Sequence, residues 1–273
     1  MSLHIERYDI VDIFNVLSLY REFASGQTTL PPDGLLARLD GELIGMATVF
    51  KYEGLPQFTA VEGGILPPFR RRGYGTQLLT AVVEQLVAPG QEMCVLIEKW
   101  DSPGGHFLRH LGFTLEHEEL IYERPADTPL PPLVIPDGFH IESPRTNANY
   151  TFSGLYRQSF APHAWYQPFN ATSLPGQLPG LLVLYHGQHS VGFAWTRQAE
   201  AGVGQVEPFG IIPEYQKQGH GRVLLNAALH HLQQKDLHTL RIITWAQNTP
   251  ARRLYEGLGF TAVDSQYYLS CKL

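Results

Sequence analysis

The chain has 273 residues, of which 44% are hydrophobic and 17% charged, and its formal net charge is −6. That length and apolar content suffice for two domains with separate cores and exclude a disordered polymer. The acidic balance excludes general affinity for nucleic acid or anionic membranes, so any basic site has to be local.

Two cysteines, Cys94 and Cys271, cannot form a disulfide framework. Cys94 lies in the apolar run Met93 to Ile97 and reads as a buried small hydrophobe. No signal-peptide core opens the sequence, and no apolar run reaches the roughly 20 residues that span a bilayer. A cytoplasmic chain with no membrane or nucleic-acid partner is expected.

In chain order, the first half predicts a strand over Leu3 to Tyr8 and a helix around Ile10 to Phe23. A hairpin follows, Gly34 to Leu39 and Leu43 to Phe50, joined by Asp40-Gly41, a strong turn signal. Next come a strand at Gly64 to Leu66, a helix to about Val87 and a strand from Cys94 to Glu98. A short helix at Gly105 to His110 and a strand at Leu120 to Glu123 close the half. Residues 124–138 contain five prolines and no helical periodicity, which predicts a semi-extended linker.

The second half repeats this order: a strand at Phe139 to Glu142, a helix over Tyr150 to Phe160, and a hairpin from Leu181 to Trp195. A strand at Val206 to Ile212, a helix, a strand at Leu240 to Trp245, a helix at Pro250 to Leu258 and a strand at Gln266 to Cys271 follow. The order indicates an α+β fold, each unit a mixed, mainly antiparallel sheet flanked by helices. The expected domains are 1–124 and 139–273 with the linker at 125–138.

Two loops carry the chemistry. Arg70-Arg71-Arg72-Gly73-Tyr74-Gly75 and Gln216-Lys217-Gln218-Gly219-His220-Gly221 lie 146 residues apart, each after an apolar run ending in proline and before a helical pattern. A glycine-permitted turn leaves backbone N–H groups pointing one way, and the helix that follows adds the positive end of its dipole. Together they suit a phosphate or pyrophosphate, and the loop basic residues with Arg222 add local charge. Neither loop fits the G-x-x-x-x-G-K-[S/T] or three-glycine dinucleotide patterns.

The stretch Ile211 to Leu225, with Asn248-Thr249-Pro250-Ala251-Arg252-Arg253-Leu254-Tyr255-Glu256-Gly257-Leu258-Gly259-Phe260, resembles the GNAT superfamily of N-acetyltransferases. The first half resembles it too, so the likeness is to a tandem GNAT protein. The resemblance implies acetyl-CoA as co-substrate, with the pyrophosphate on Gln216 to Arg222 and, less surely, on Arg70 to Gly75. It further implies a strand parted from its neighbour to admit the pantetheine arm, with Ile211, Ile212, Asn248 and Arg252 beside the coenzyme. The N–H of Ile211 or a neighbour would polarise the thioester carbonyl, and Tyr255 would lie near the sulfur.

Aligned on Leu-Gly-Phe, Tyr255 matches Leu108 and Asn248 matches Asp101. The first half is therefore expected to be degenerate and the second catalytic, with transfer to a small-molecule amine or a peptide N-terminus in a ternary complex; the alternatives are a non-catalytic CoA-binding regulatory or scaffold protein, or transfer of a different acyl group on the same fold. A phenol near the sulfur can protonate the departing thiolate, which leucine cannot. Tyr255 is either that general acid or a helix tyrosine packed on the core. Asn248 either holds the pantetheine amides or caps the Pro250 helix. Glu207 is either the base that deprotonates the amine or a surface carboxylate. Glu62 is shifted by one strand position and is not expected to share its role. Trp165, Tyr166 and Phe169 form either an acceptor wall or ordinary packing. His186, His189, His230 and His231 read as solvent-exposed, and no metal site is expected. Oligomerisation is left open.

Overall fold

In a computed structural model the chain is described over residues 2–8, 13–23, 32–51, 55, 57–144, 147–161 and 178–272. It forms two compact units, residues 1–116 with 267–273, and residues 117–266.

The first unit contains β1 (Leu3–Arg7), α1 (Ile13–Arg21), β2 (Asp33–Leu39), β3 (Glu42–Lys51), β4 (Phe58–Ile65), α2 (Tyr74–Leu86), β5 (Glu92–Ile97) and α3 (Pro103–His110). Asp40 and Gly41 turn between β2 and β3 with φ 48° and 89°, the paired positive values that an Asp-Gly hairpin supplies. Alternation along β2 serves two faces. Leu35, Ala37 and Leu39 pack with Leu78, Ala81 and Val82 of α2, while Leu36 packs with Val16, Leu19 and Tyr20 of α1. Burial pushes the Cys94 thiol up to about 12, so it is an inert core group.

The second unit contains β6 (Thr114–Pro125), which starts within the first unit, then β7 (Phe139–Glu142), α4 (Ala148–Phe160), β8 (Leu181–His186), β9 (His189–Glu200), β10 (Val203–Ile211), α5 (His220–Gln233), β11 (Thr239–Trp245) and α6 (Thr249–Glu256). Its core joins Phe152 and Leu155 of α4 to Leu224, Leu225, Ala228 and Leu229 of α5 through Phe193, Val206 and Leu240 of the sheet. The ladders of each unit are antiparallel except for one parallel pair, β4 with β5 in the first and β10 with β11 in the second. This is the mixed, mainly antiparallel α+β architecture expected.

The unit boundaries differ from the sequence halves. Residues 119–125 of β6 pair with β11, and Tyr267 to Lys272 of the last strand, β12 (Thr261–Lys272), pair with β5. Each half thus ends in a strand whose ladder belongs to the unit built by the other. Several strands also run longer than expected, β4, β6 and β12 most of all. Phe58 to Val61 is buried at every position, so it shows no alternation to betray β4. β6 spans twelve residues rich in glutamate.

The proline-rich segment is strapped to α5 rather than free. Asn226 Nδ2 donates to Pro131 O at 3.0 Å, and Gln233 Nε2 donates to Ala126 O and Thr128 O at 2.7 and 2.9 Å. His230 Nε2 lies 3.2 Å from Pro131 O, and His230 and His231 are half-buried, not exposed as expected. Among the described residues no helix is long and apolar enough to cross a membrane. Gln233→Leu removes two bonds to main-chain carbonyls and is expected to lower stability by about 1–3 kcal/mol, read by denaturant unfolding.

Candidate active site

The site starts from a parting of strands. β10 and β11 share three parallel pairs, Val203 with Thr239, Gly204 with Leu240 and Gln205 with Arg241, and then diverge. Their outer edges stay paired, β10 to β9 as far as Ile211 and β11 to β6 as far as Trp245. Only the facing edges are left without a ladder. Ile212 N donates to Val191 O of β9 at 3.0 Å, so by strand alternation the Ile211 N–H points away from β9 into the parting. β4 and β5 part in the same way after Phe58 to Ala60.

Beyond β10 a turn of 3-10 helix at Pro213–Tyr215 leads into the glycine loop. Gln216 Nε2 donates to Ile211 O at 2.8 Å, tying the loop to the end of its strand; Arg70 Nε does the same to Ile65 O at 2.7 Å. The first motif position is glutamine or arginine because both place an N–H at that carbonyl. Lys217 and Gly219 have φ of 60° and 87°, and Arg71 and Gly73 have 63° and 80°. No side chain caps α5. Among the described residues, none of the Gln218, Gly219, His220 and Gly221 N–H groups donates to a carbonyl of the protein. This cradle of N–H groups at a helix N-terminus fits a phosphate.

The loop side chains divide by role. Lys217 and Gln218 are exposed, and Arg222 donates to Gly257 O at 3.1 Å, linking α5 to the end of α6. The His220 ring is 7% exposed and packs 4.3 Å from the Phe139 ring. Burial, then the neighbouring His186, hold it below the ordinary histidine value, so it is neutral and contributes its backbone N–H.

Deeper in the parting, Glu207 of β10 accepts from Gln205 Nε2 and lies 3.7 Å from the Arg197 guanidinium. Burial raises its carboxyl above the ordinary range, against the lowering effect of Arg197. Tyr255, in the last turn of α6, is 4% exposed. Burial, followed by the charge of Glu207, pushes its phenol well above its usual value, while hydrogen bonding to Thr244 opposes the rise. At neutral pH the phenol is a proton donor. Its ring meets Tyr122 edge-on at 5.8 Å.

Asn248 is the N-cap of α6. Its Oδ1 accepts from Ala251 N at 3.3 Å and its Nδ2 donates to Thr244 Oγ1 at 3.2 Å, so both ends of the amide are engaged in placing the helix. Arg252 is turned toward β6, donating to Tyr122 Oη at 3.2 Å and Ala246 O at 2.9 Å. Sequence reasoning missed Gln205, Arg197 and Thr244. The period-two spacing of Gln205 and Glu207 was the available signal for the first.

The first unit repeats the frame with a different set of side chains. Leu108 O accepts from Phe113 N and Tyr255 O from Phe260 N, so Leu108, 6% exposed, does occupy the tyrosine position. The asparagine match needs correction: Ser102, not Asp101, caps α3 by accepting from Gly105 N at 3.0 Å, because α3 is one residue shorter between cap and Leu-Gly-Phe. Asp101 instead pairs with Arg109 at 3.9 Å. Glu62 faces α1, where it accepts from Tyr20 Oη at 3.0 Å; contrary to the one-position shift expected, the strand registers match Val61 to Val206 and Glu62 to the bulged Glu207-Pro208. Trp165, Tyr166 and Phe169 lie outside the described residues.

Parted parallel strands, a glycine cradle and a following helix are present in both units. The chain belongs to the acetyltransferase (GNAT) family, whose model matches residues 9–113 and again 148–260. It is similar to a mycothiol acetyltransferase of Thermomonospora curvata, 30% identical over 250 residues, covering 85% of this chain and 81% of the relative. One from Nocardia farcinica is 32% identical over 261 residues, with 85% and 81% covered. Among solved structures, a GCN5-related N-acetyltransferase from Sphaerobacter thermophilus aligns with TM-score 0.72 at 17% identity over 98% of this chain and 95% of that one. A tandem GNAT protein from the clavulanic acid biosynthesis pathway aligns with TM-score 0.70 at 14% identity over 99% and 98%. At those identities the two structures show the shared fold.

Glu207 gives a signed prediction. A carboxyl raised in the folded state contributes stability at low pH that is lost as the pH rises through the folded value. Glu207→Gln is therefore expected to melt above wild type near neutral pH and to lose that advantage as the pH falls into the ordinary carboxylate range. An unchanged or lower neutral melting temperature would show that Glu207 is not held against its ionised form.

Proposed function

We propose that the second unit is the catalytic one and moves an acetyl group from acetyl-CoA directly to a primary amine. The observation that carries this is the coincidence, in one unit, of parted strands, glycine cradle, Glu207 and Tyr255. The Gln218 to Gly221 N–H groups would hold the pyrophosphate, with Lys217 and Arg222 supplying positive charge. The facing edges of β10 and β11 offer main-chain groups to the pantetheine amides, and the Ile211 N–H is aimed to polarise the thioester carbonyl.

Glu207 takes a proton from the ammonium form of the acceptor, directly or through water, leaving a nucleophilic amine. As the new C–N bond forms and the C–S bond breaks, Tyr255 gives its proton to the thiolate. Asn248 serves by capping α6 and Arg252 by bracing it. Direct transfer is favoured over an acyl-enzyme because both cysteines, Cys94 and Cys271, belong to the first unit. A small-molecule acceptor is favoured over a peptide N-terminus by the relatives named mycothiol acetyltransferase.

A second reading concerns the first unit, whose loop and parting are alike: it holds coenzyme without turning it over. Calorimetric titration with CoA would then show more than one coenzyme per chain, and substitution of Gly73 by valine would remove the extra site without loss of turnover.

Release of CoA from acetyl-CoA across an amine panel tests the main reading. Tyr255→Phe is expected to lower kcat by roughly 10²–10⁴-fold with little change in KM for acetyl-CoA; full activity at every pH would remove Tyr255 from the mechanism. Because Glu207 must be ionised, kcat/KM should rise with pH on the acid side. Arg197→Ala removes the charge that lowers the Glu207 carboxyl, so this limb should move to higher pH; a shift to lower pH would remove Glu207 as the base.

A further inference from the structure

Arg124, near the end of β6, is 2% exposed. A buried guanidinium is ordinarily met by a carboxylate, yet among the described residues none pairs with it. Its acceptors are main-chain carbonyls. One terminal nitrogen donates to Leu258 O. The other donates to Thr128 O at 2.6 Å and reaches Pro129 O at 3.4 Å. The Phe260 ring centroid lies 5.8 Å from its central carbon.

Those contacts converge on the turn that ends α6. Leu258 N and Phe260 N both donate to Tyr255 O, at 2.9 and 3.1 Å, and Gly259 reverses the chain with φ 83°. A cation beside the last carbonyls of a helix is also favourably placed in its dipole. The equivalent rung in the first unit is occupied by a different group. Arg124 pairs with Leu240 on β11, and Cys271 pairs with Met93 on β5, the same 147-residue offset that relates Tyr255 to Leu108. The Cys271 Sγ lies 3.5 Å from Lys272 O and clamps no turn. The arginine clamp occurs in the unit that has the tyrosine.

We propose that Arg124 is a positioning residue for the transfer reaction: by bridging the linker carbonyls of Thr128 and Pro129 to Leu258, it fixes the turn that sets where the Tyr255 hydroxyl stands. This rests on Tyr255 acting as proton donor. The interdomain segment is then part of the catalytic architecture, strapped to α5 by Gln233 on one side and to the α6 turn by Arg124 on the other.

The test is a double-mutant cycle. Lysine keeps the charge but cannot bridge both sets of carbonyls, and glutamine keeps one N–H donor. Arg124→Lys and Arg124→Gln are each made in wild type and in Tyr255→Phe, with unfolding midpoints recorded. In wild type each should lower kcat by roughly 10–100-fold, as a small misplacement of a reacting group does, with KM for acetyl-CoA held. In Tyr255→Phe neither should lower it further. Equal losses in both backgrounds, no loss in wild type, or failure of both variants to fold would overturn the positioning role while leaving Tyr255 in place. Full activity of Tyr255→Phe alone would instead remove the reading on which it rests.

Discussion

The account depends on one backbone constraint, the divergence of β10 from β11 after Gln205 and Arg241. A parallel pair that continued to the strand ends would satisfy its own main-chain groups and leave no opening. Because each strand keeps its outer neighbour, the facing edges are held apart rigidly rather than by mobility, and their N–H and C=O groups are available to an extended ligand. The loop that follows is fixed to the same strand through Gln216 and Ile211, so cradle and opening are parts of one piece of backbone. Everything assigned to the coenzyme follows from that geometry, and everything assigned to the chemistry follows from which side chains enter it.

The two copies of the frame differ in a few side chains. The first unit keeps the parting, the tether from Arg70 to Ile65 and the two positive-φ residues of the loop. It has Leu108 for Tyr255 and Cys271 for Arg124, an apolar and a weakly polar group in place of two that donate. Each exchange removes a buried polar group, and such groups are expensive to hold in a core. Glu62 stands at the strand position of Glu207, with its carboxylate accepting from Tyr20 of α1.

Local signals were legible in the sequence and long-range ones were not. Asp40-Gly41 marked its hairpin, and the glycine loops with their helices were readable because their geometry is set within a few residues. The tyrosine position followed from Leu-Gly-Phe, whose phenylalanine N–H bonds to that residue in both units. The cap did not follow, since a one-residue difference in helix length moved it from Asp101 to Ser102. The ladders of β6 and β12 were illegible because no local pattern states which sheet a strand joins. The linker strap was equally hidden: its acceptors are main-chain carbonyls, which every residue has, and no local pattern marks Asn226, His230 and Gln233 as their donors.

The central claim is that the coenzyme lies in the parting of the second unit with its thioester between Glu207 and Tyr255. A crystal structure of the chain with acetyl-CoA tests this most directly. The account predicts pyrophosphate density on the Gln218 to Gly221 N–H groups, pantetheine bonded to the facing edges of β10 and β11, and the sulfur within hydrogen-bonding reach of the Tyr255 hydroxyl. Coenzyme bound with its sulfur remote from Tyr255, or bound in the first unit and not in the second, would contradict it.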